Sequence, residues 1–414
     1  MGFSAQSLKD WVKAAEKELR GKPLDSISWD FEGITIGPYQ NSRNGQSPFS
    51  IRKVGANNDW KIRQDFSGAR ALELAKDAIA AGTQIIGMPS GKLAADVEGF
   101  MNHMANHDAG LVLLDEGNSE LMAMILKCEK SCGKSLLWEV EGTTDHVELR
   151  NSLGKDRFTP ICVVDSCFGI SDSGSESFFE LALALASGHH SLVQLMSEGM
   201  TVDEASAQVS FKISVGGTYL VELCKWRVFR RLWAAIVEEY NPENSCSVNT
   251  RITASLSTWN KTVIDVDGNL IRQAAESMAA AIGGADVILI SPFDHRESSR
   301  ASRLARNIHH LLKGESWLTH VKDPVSGSYF FEDLSEKIAN KVWSKFQELD
   351  SDYEELMNDG GIRNMLNEQR ENSIERLRNH EEIRIGGNKY QPADIQSVAD
   401  ITTSTSAWEK EGEE

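Results

Sequence analysis

The chain has 414 residues, 41% apolar and 25% charged, and carries a net charge of −18 at pH 7. Its length suits one large α/β barrel or two to three smaller domains of ~150 residues. The acid excess argues against a nucleic-acid footprint or an anionic-membrane surface, and no apolar run approaches the ~20 residues of a membrane-spanning helix.

Residues 1–60 read as an arm that is too short to build a core of its own. Leu8, Trp11, Val12, Ala15 and Leu19 share one side of a helix over 7–19. The segment lacks the continuous apolar stretch of a signal peptide. Gly21-Lys22-Pro23 breaks the helix, and Trp29, Phe31, Ile34 and Ile36 mark an extended piece. The Ser/Asn/Gly-rich run at 40–47 reads as a mobile loop. The arm is expected to pack on the next domain or on another subunit.

From residue 61 the pattern alternates. Short β-branched runs at 84–88, 111–115, 135–140, 161–165, 192–196, 209–214, 247–252 and 287–291 read as strands. Helical periods fill 67–81, 93–107, 118–132, 177–188, 217–240, 267–283 and 297–313. Consecutive apolar residues within the strands mark parallel strands buried on both faces. Eight of them with intervening helices predict a (β/α)8 TIM barrel over 61–334, with an open doubly wound sheet as the alternative. The stretch from Ser298 to Leu334 is the junction to a helical linker, 335–391, with helices at 334–349 and 353–380. Residues 392–414 form an acidic tail that reads as disordered.

Candidate chemistry is sparse. In a barrel, catalytic groups sit at the C-terminal strand ends. Those ends offer Ser90, Asp115, Glu116, Asp165, Cys167, Gly169, Ser214, Thr253 and Asp294, with no base beside an orienting partner. His103 and His107 lie one helical turn apart, but Met104 stands where a metalloprotease HExxH motif has glutamate, so they read as a polar helix face. The pairs His189-His190 and His309-His310 read as structural. Arg296, Arg300, Arg303 and Arg306 share a helix face, either as a phosphate clamp or as a face ion-paired with Glu297 and its neighbours. Gly216-Gly217 before a long helix is a weak anion-site signal. Six cysteines without a CxxC pair give no metal site and fit free thiols in a reduced, cytoplasmic protein.

An ordered set of motifs resembles the methylmalonyl-CoA mutase family. It comprises Ile62-Arg63-Gln64 with Phe66-Ser67, and Asp172 with Gly174. Phe211, Glu222, Lys225, Arg227, Arg230, Leu232 and Trp233 follow, then Arg303 to Asn307, Asp323-Pro324, Gly327-Ser328-Tyr329 and Glu332, and finally Gly387-Asn388-Lys389-Tyr390. The arm, with Trp11, Glu18-Leu19, Gly21-Lys22, Trp29 and Pro38-Tyr39, is similar to the opening of the family's small subunit. The resemblance implies a barrel threaded by acyl-CoA and a separate domain carrying adenosylcobalamin, whose homolysis starts a radical rearrangement.

Against that pattern the chain departs at three places. Asp65 occupies the position of a tyrosine that presses on cofactor and substrate. Gly169 occupies that of a histidine bonded to the thioester carbonyl. The seventh-strand match breaks down around Val248 to Thr253. No Asp-x-His-x-x-Gly cobalamin motif occurs in the sequence. The resemblance therefore implies a small (beta) subunit without a cobalamin domain, non-catalytic itself and paired as a heterodimer with a catalytic large subunit that binds the cofactor. Gln64 and Arg251 are the candidate residual acyl-CoA contacts. Alternatives are a catalytic barrel served by a separate cobalamin-binding chain, and a repurposed acyl-CoA sensor.

Overall fold

The computed structural model describes residues 7–40, 58–115, 119–140, 162–165, 174–294 and 298–391. The predicted loop at 41–47, the predicted tail, Cys167, Gly169, Asp172, Glu116, Arg296 and Glu297 lie outside them.

The arm opens with helix α1 (Leu8–Glu18), started by a capping box between Ser7 and Asp10. A two-stranded hairpin follows, β1 (Trp29–Phe31) against β2 (Ile34–Ile36). Its two turn residues, Glu32 and Gly33, both take positive φ (47° and 74°), the pairing that matches the twist of a tight hairpin.

Eight strands make the sheet: β3 (Lys61–Asp65), β4 (Ile85–Met88), β5 (Gly110–Leu113), β6 (Leu137–Val140), β7 (Cys162–Asp165), β8 (Val209–Val215), β9 (Arg251–Leu256) and β10 (Val287–Leu289). Every ladder is parallel, and the hydrogen-bonded order is β6-β5-β4-β3-β10-β9-β8-β7. The first barrel strand thus bonds to the last. The two ends of that order, β6 and β7, are consecutive in the chain and lie in contact. This is the cyclic order of a (β/α)8 barrel. Helices α2 (Ala71–Ala80), α3 (Ser90–Leu93), α4 (Val97–His107), α5 (Ser119–Cys132), α6 (Ser177–Ser197), α7 (Val202–Gln208), α8 (Tyr219–Glu238), α9 (Val266–Gly283) and α10 (Ser299–Gly314) surround it. The linker holds α11 (Tyr329–Ser351), α12 (Tyr353–Asn358) and α13 (Gly361–Arg378).

The strand count agrees with expectation, but its membership differs. The run at 192–196 is the last turn of α6, where Leu192 and Leu195 continue the buried face of Leu181 and Leu185. Gly188 does not end that helix. A Cβ there would lie 2.7 Å from the Phe211 ring and 2.9 Å from Trp233, so the glycine lets α6 settle onto the sheet. The missing strand is β3, whose sequence Lys-Ile-Arg-Gln-Asp is too polar for the apolar pattern of a buried strand. The strand expected at 247–252 starts at Arg251. Residues before it are held in a turn, with Asp203 accepting the N–H groups of Glu243 and Asn244 at 3.0 and 3.1 Å. The linker helix starts at Tyr329, five residues before the expected start at 334.

Cations buried along α8 tie the layers together. Arg230 donates to Thr250 O (2.7 Å), Gly284 O (2.9 Å) and Asp286 (2.5 Å). Arg227 reaches Asp323 (3.2 Å), Glu332 (3.0 Å) and Ser335 (3.3 Å), and so fixes the junction and α11 to the barrel. Glu332 in turn accepts the Gly327 N–H at 2.8 Å, closing the turn. Replacing Arg227 by alanine strands two carboxylates in a poorly hydrated site, a loss of ~3–5 kcal/mol. Urea denaturation is expected to show that loss, with early proteolysis near residues 315–328.

Candidate functional site in the barrel interior

Alternation along β3 decides which of its residues face the axis. Ile62 and Gln64 point to the helix layer. Gln64 donates to Ser302 O (2.9 Å) and accepts from Thr83 Oγ1 (2.9 Å) and Arg306 (2.7 Å), so its amide is committed to packing α10 against the sheet. Arg63 and Asp65 face inward. Arg63 is fully buried and grips Asp65 in a fork, Nε to Oδ1 at 2.8 Å and Nη2 to Oδ2 at 2.9 Å. On neighbouring β4, Gly87 makes room, because a Cβ there would run into the Asp65 carboxylate.

From the other side β6 contributes Glu139, which is 3% exposed. Its Oε1 accepts from Ser210 Oγ on β8 (2.8 Å) and from Arg251 on β9 (Nε 2.9 Å, Nη2 2.8 Å), while its Oε2 lies 3.9 Å from Arg63 Nη1. Asp65, Arg63, Glu139 and Arg251 thus form an alternating ladder of charge across the interior. Ile85, Val112 and Val287, with Leu114 against them, form a small apolar cluster on the same inward faces. Among the described residues, side chains from β3, β4, β5, β6, β8, β9 and β10 enter the interior. The sequence marked Asp65 and Arg251; it missed Glu139 and Arg63 as partners, and the odd acid in an apolar strand (Leu-Trp-Glu-Val) was the one available signal.

The strand ends carry structural bonds. Asp115 accepts the Ser90 N–H at 2.8 Å. Asp294 accepts from Ser298 Oγ at 2.5 Å, and Ser298 caps α10. Ser214 donates both its N–H and its hydroxyl to Glu180, at 2.7 and 2.6 Å. Thr253 and Ala254 lie inside β9 and not at its end. The register of β7 sets Asp165 opposite Lys212.

The His103 and His107 rings lie 4.4 Å apart on α4, tilted by 35°, and burial together with His107 lowers the pKa of His103. His309 is sealed against Trp60, whose indole donates to its Nδ1 at 3.1 Å, and burial pulls its pKa down to about 3. His189 bridges Asp350 (2.7 Å) and Tyr240 (2.6 Å). Along α10, Arg300 lies over the Phe293 ring and Arg306 bonds Gln64; among the described residues no acid pairs with Arg300, Arg303 or Arg306.

Residues 151–412 match the family model for methylmalonyl-CoA mutase. The chain belongs to the methylmalonyl-CoA mutase family. It is 26% identical over 391 residues to the methylmalonyl-CoA mutase small subunit of Porphyromonas gingivalis, covering 83% of this chain and 63% of that one. It is 29% identical over 253 residues to the methylmalonyl-CoA mutase of Rhizobium meliloti, covering 58% and 35%. With the mitochondrial methylmalonyl-CoA mutase of Homo sapiens it shares 31% over 243 residues, covering 55% and 31%. The chain therefore spans less than two thirds of the length of these relatives. Among the described residues of this mutase-family barrel, the motif residues Arg227, Arg230, Asp323 and Glu332 hold the fold together, and Asp65 is locked on Arg63. Removing Glu139 as Glu139→Ala leaves two arginines facing each other in the interior, and a loss of ~3–5 kcal/mol is expected. Comparison of urea midpoints checks this; Ser210→Ala, which removes only one hydrogen bond, is expected to lose ~1 kcal/mol.

Proposed function

We propose that this chain is the small (beta) subunit of an adenosylcobalamin-dependent methylmalonyl-CoA mutase, non-catalytic itself, which stabilises a catalytic large subunit in a cytoplasmic heterodimer. The assembly would interconvert methylmalonyl-CoA and succinyl-CoA. The observation that carries this reading is the ladder of ion pairs across the axis. A substrate threaded through the barrel would have to displace the Arg63–Glu139–Arg251 ladder and leave its charges buried without partners, at several kcal/mol. Arg251 then serves as an internal ion-pair partner, and Gln64 as a packing residue, in place of contacts to an acyl-CoA.

The residues at the mouth do not fit the cofactor either. Asp65, 23% exposed, presents a carboxylate clamped on Arg63 where a radical cofactor would call for a water-excluding, uncharged surface. The cofactor is therefore assigned to the partner chain. A catalytic barrel served by a separate cobalamin-binding chain would need the axis open.

The arm supplies a surface for the partner. Among the described residues of α1 none is fully buried, and Trp11, Ile27, Trp29 and Tyr39 stay 36–48% exposed, with Trp11 stacked on Tyr39 at 4.4 Å. Exposed aromatics of this kind are favoured anchors in interfaces. Residues 8–22 carry Lys9, Lys13, Lys17, Arg20 and Lys22 against Asp10, Glu16 and Glu18, five positive charges to three negative, in a chain of net −18. A basic first helix on an acidic chain suits an acidic surface on its partner.

The test is a mutase assay with adenosylcobalamin and methylmalonyl-CoA, run on this chain alone and after co-expression with a catalytic large subunit. Alone, the chain is expected to give no succinyl-CoA and no calorimetric heat with either acyl-CoA. Together, the two chains are expected to co-elute and turn over. Turnover by this chain alone, or failure of the two chains to associate, would overturn the reading.

A further inference from the structure

The arm is tied to the barrel at two places. At the hairpin, the Glu32 carboxylate accepts the N–H groups of Ser177 (2.6 Å) and Phe178 (2.9 Å) and so caps α6. At the root, residues 58–60 lead into β3 and are held by α9, α10 and the short turn Leu318–His320. Asn58, fully buried, donates its amide to Ala281 O on α9 (2.6 Å) and its N–H to Thr319 O (3.1 Å). Trp60, also fully buried, has the Lys313 ammonium of α10 over its ring at 4.9 Å. Its indole N–H donates to His309 Nδ1 at 3.1 Å.

That last bond fixes the protonation state of His309. An indole nitrogen can only donate. His309 Nδ1 must therefore accept, which leaves the ring neutral with its proton on Nε2. A second proton would set two N–H groups against each other across 3.1 Å. It would also place a charge one helical turn from Lys313. The ring is fully buried, and its Nε2 has no hydrogen-bond partner among the described residues to share that charge. The surrounding charges do not favour a cation. Lys313 and His310 act on the ring from α10 itself, and Lys61 on β3 is another cation. Asp59 is spent on Lys313 at 2.5 Å. On α9 the charged residues Asp267, Arg272 and Glu276 lie N-terminal of Ala281, with Glu276 held by Lys261 (2.7 Å) and Arg272 by Asn269 (3.0 Å). In the turn, His320 lies 3.2 Å from Trp317 O.

We propose that His309 is an acid-sensitive lock on the root of the arm: the neutral ring holds Trp60 between β3 and α10, and protonation releases residues 58–60 together with the turn at 318–320. Burial first, then Lys313 and His310, act in the same direction as the hydrogen bond and draw the pKa from 6.5 to about 3. The lock follows from the bonds of the root alone and holds whether or not the arm meets a partner.

The sign follows from linkage. A histidine whose closed-state pKa lies below its free value stabilises the closed state fully above the free value, and that contribution is lost as pH falls from the free value toward the closed one. Hydrogen exchange over residues 58–62 and 315–320 in the intact chain, normalised for the intrinsic pH dependence of amide exchange, reads the opening. The opening constant is expected to rise roughly tenfold between pH 7 and about 5.5, while that of β8 stays level. The rise is expected to vanish in His309→Asn, which keeps an acceptor for the indole and does not titrate. Ring-nitrogen NMR is expected to show His309 neutral, with its proton on Nε2, at the lower pH. An imidazolium in the closed chain at that pH, a rise unchanged in His309→Asn, or a rise shared equally by β8 overturns the proposal. If His309→Asn does not fold, the ring-nitrogen spectrum and the comparison with β8 in the natural chain decide it.

Discussion

The charged part of the barrel interior is arranged around one carboxylate. Glu139 stands on β6 where the ladder from β3 through β10 comes back on itself, and it gathers donors from β8 and β9 within hydrogen-bond distance. A parallel barrel has to fill its own axis, and most do so with layers of branched apolar side chains. Among the described residues the interior is part apolar, through Ile85, Val112 and Val287, and part ionic. Buried ion pairs are costly to desolvate and are tolerated when their geometry is good and their remaining valences are met. The fork between Arg63 and Asp65 and the two-nitrogen grip of Arg251 on Glu139 satisfy that condition.

The same economy of charge recurs outside the barrel. On α8, Lys225, Arg227 and Arg230 are all buried, and each reaches a different element: the end of β8, the junction with α11, and the start of β9 and β10. A single helix thus serves as the post to which body and linker are tied. The hairpin adds a second tie from the N-terminal side, through Glu32. Family motifs such as Asp323 and Glu332 are partners of this post, which explains how the framework of a mutase barrel persists while its interior is built for ion pairing.

Some of this was legible before any coordinates. The alternation of short strands and helices, the parallel character of the strands, the arm, the junction and the linker all follow from local patterns, because burial on both faces and helical periodicity leave marks on consecutive residues. Reading failed where long-range contact overrides the local signal. The polar β3 looked unlike a strand because its charges face inward. Leu192 to Met196 looked like one because a short apolar run carries no period of its own. Gly188 looked like a stop because the rings of Phe211 and Trp233 that require it lie on other elements.

By itself the sequence determined the fold class and the family. Only the tertiary structure decided which distant residues meet. Glu139 meets Ser210 and Arg251 across 71 and 112 residues, and Glu32 meets Ser177 across 145. Such pairings carry no local periodicity, since they arise only when barrel closure and hairpin docking bring distant residues onto one axis or one helix end. Charge balance in a poorly hydrated space is a property of that neighbourhood, and no stretch of sequence contains it.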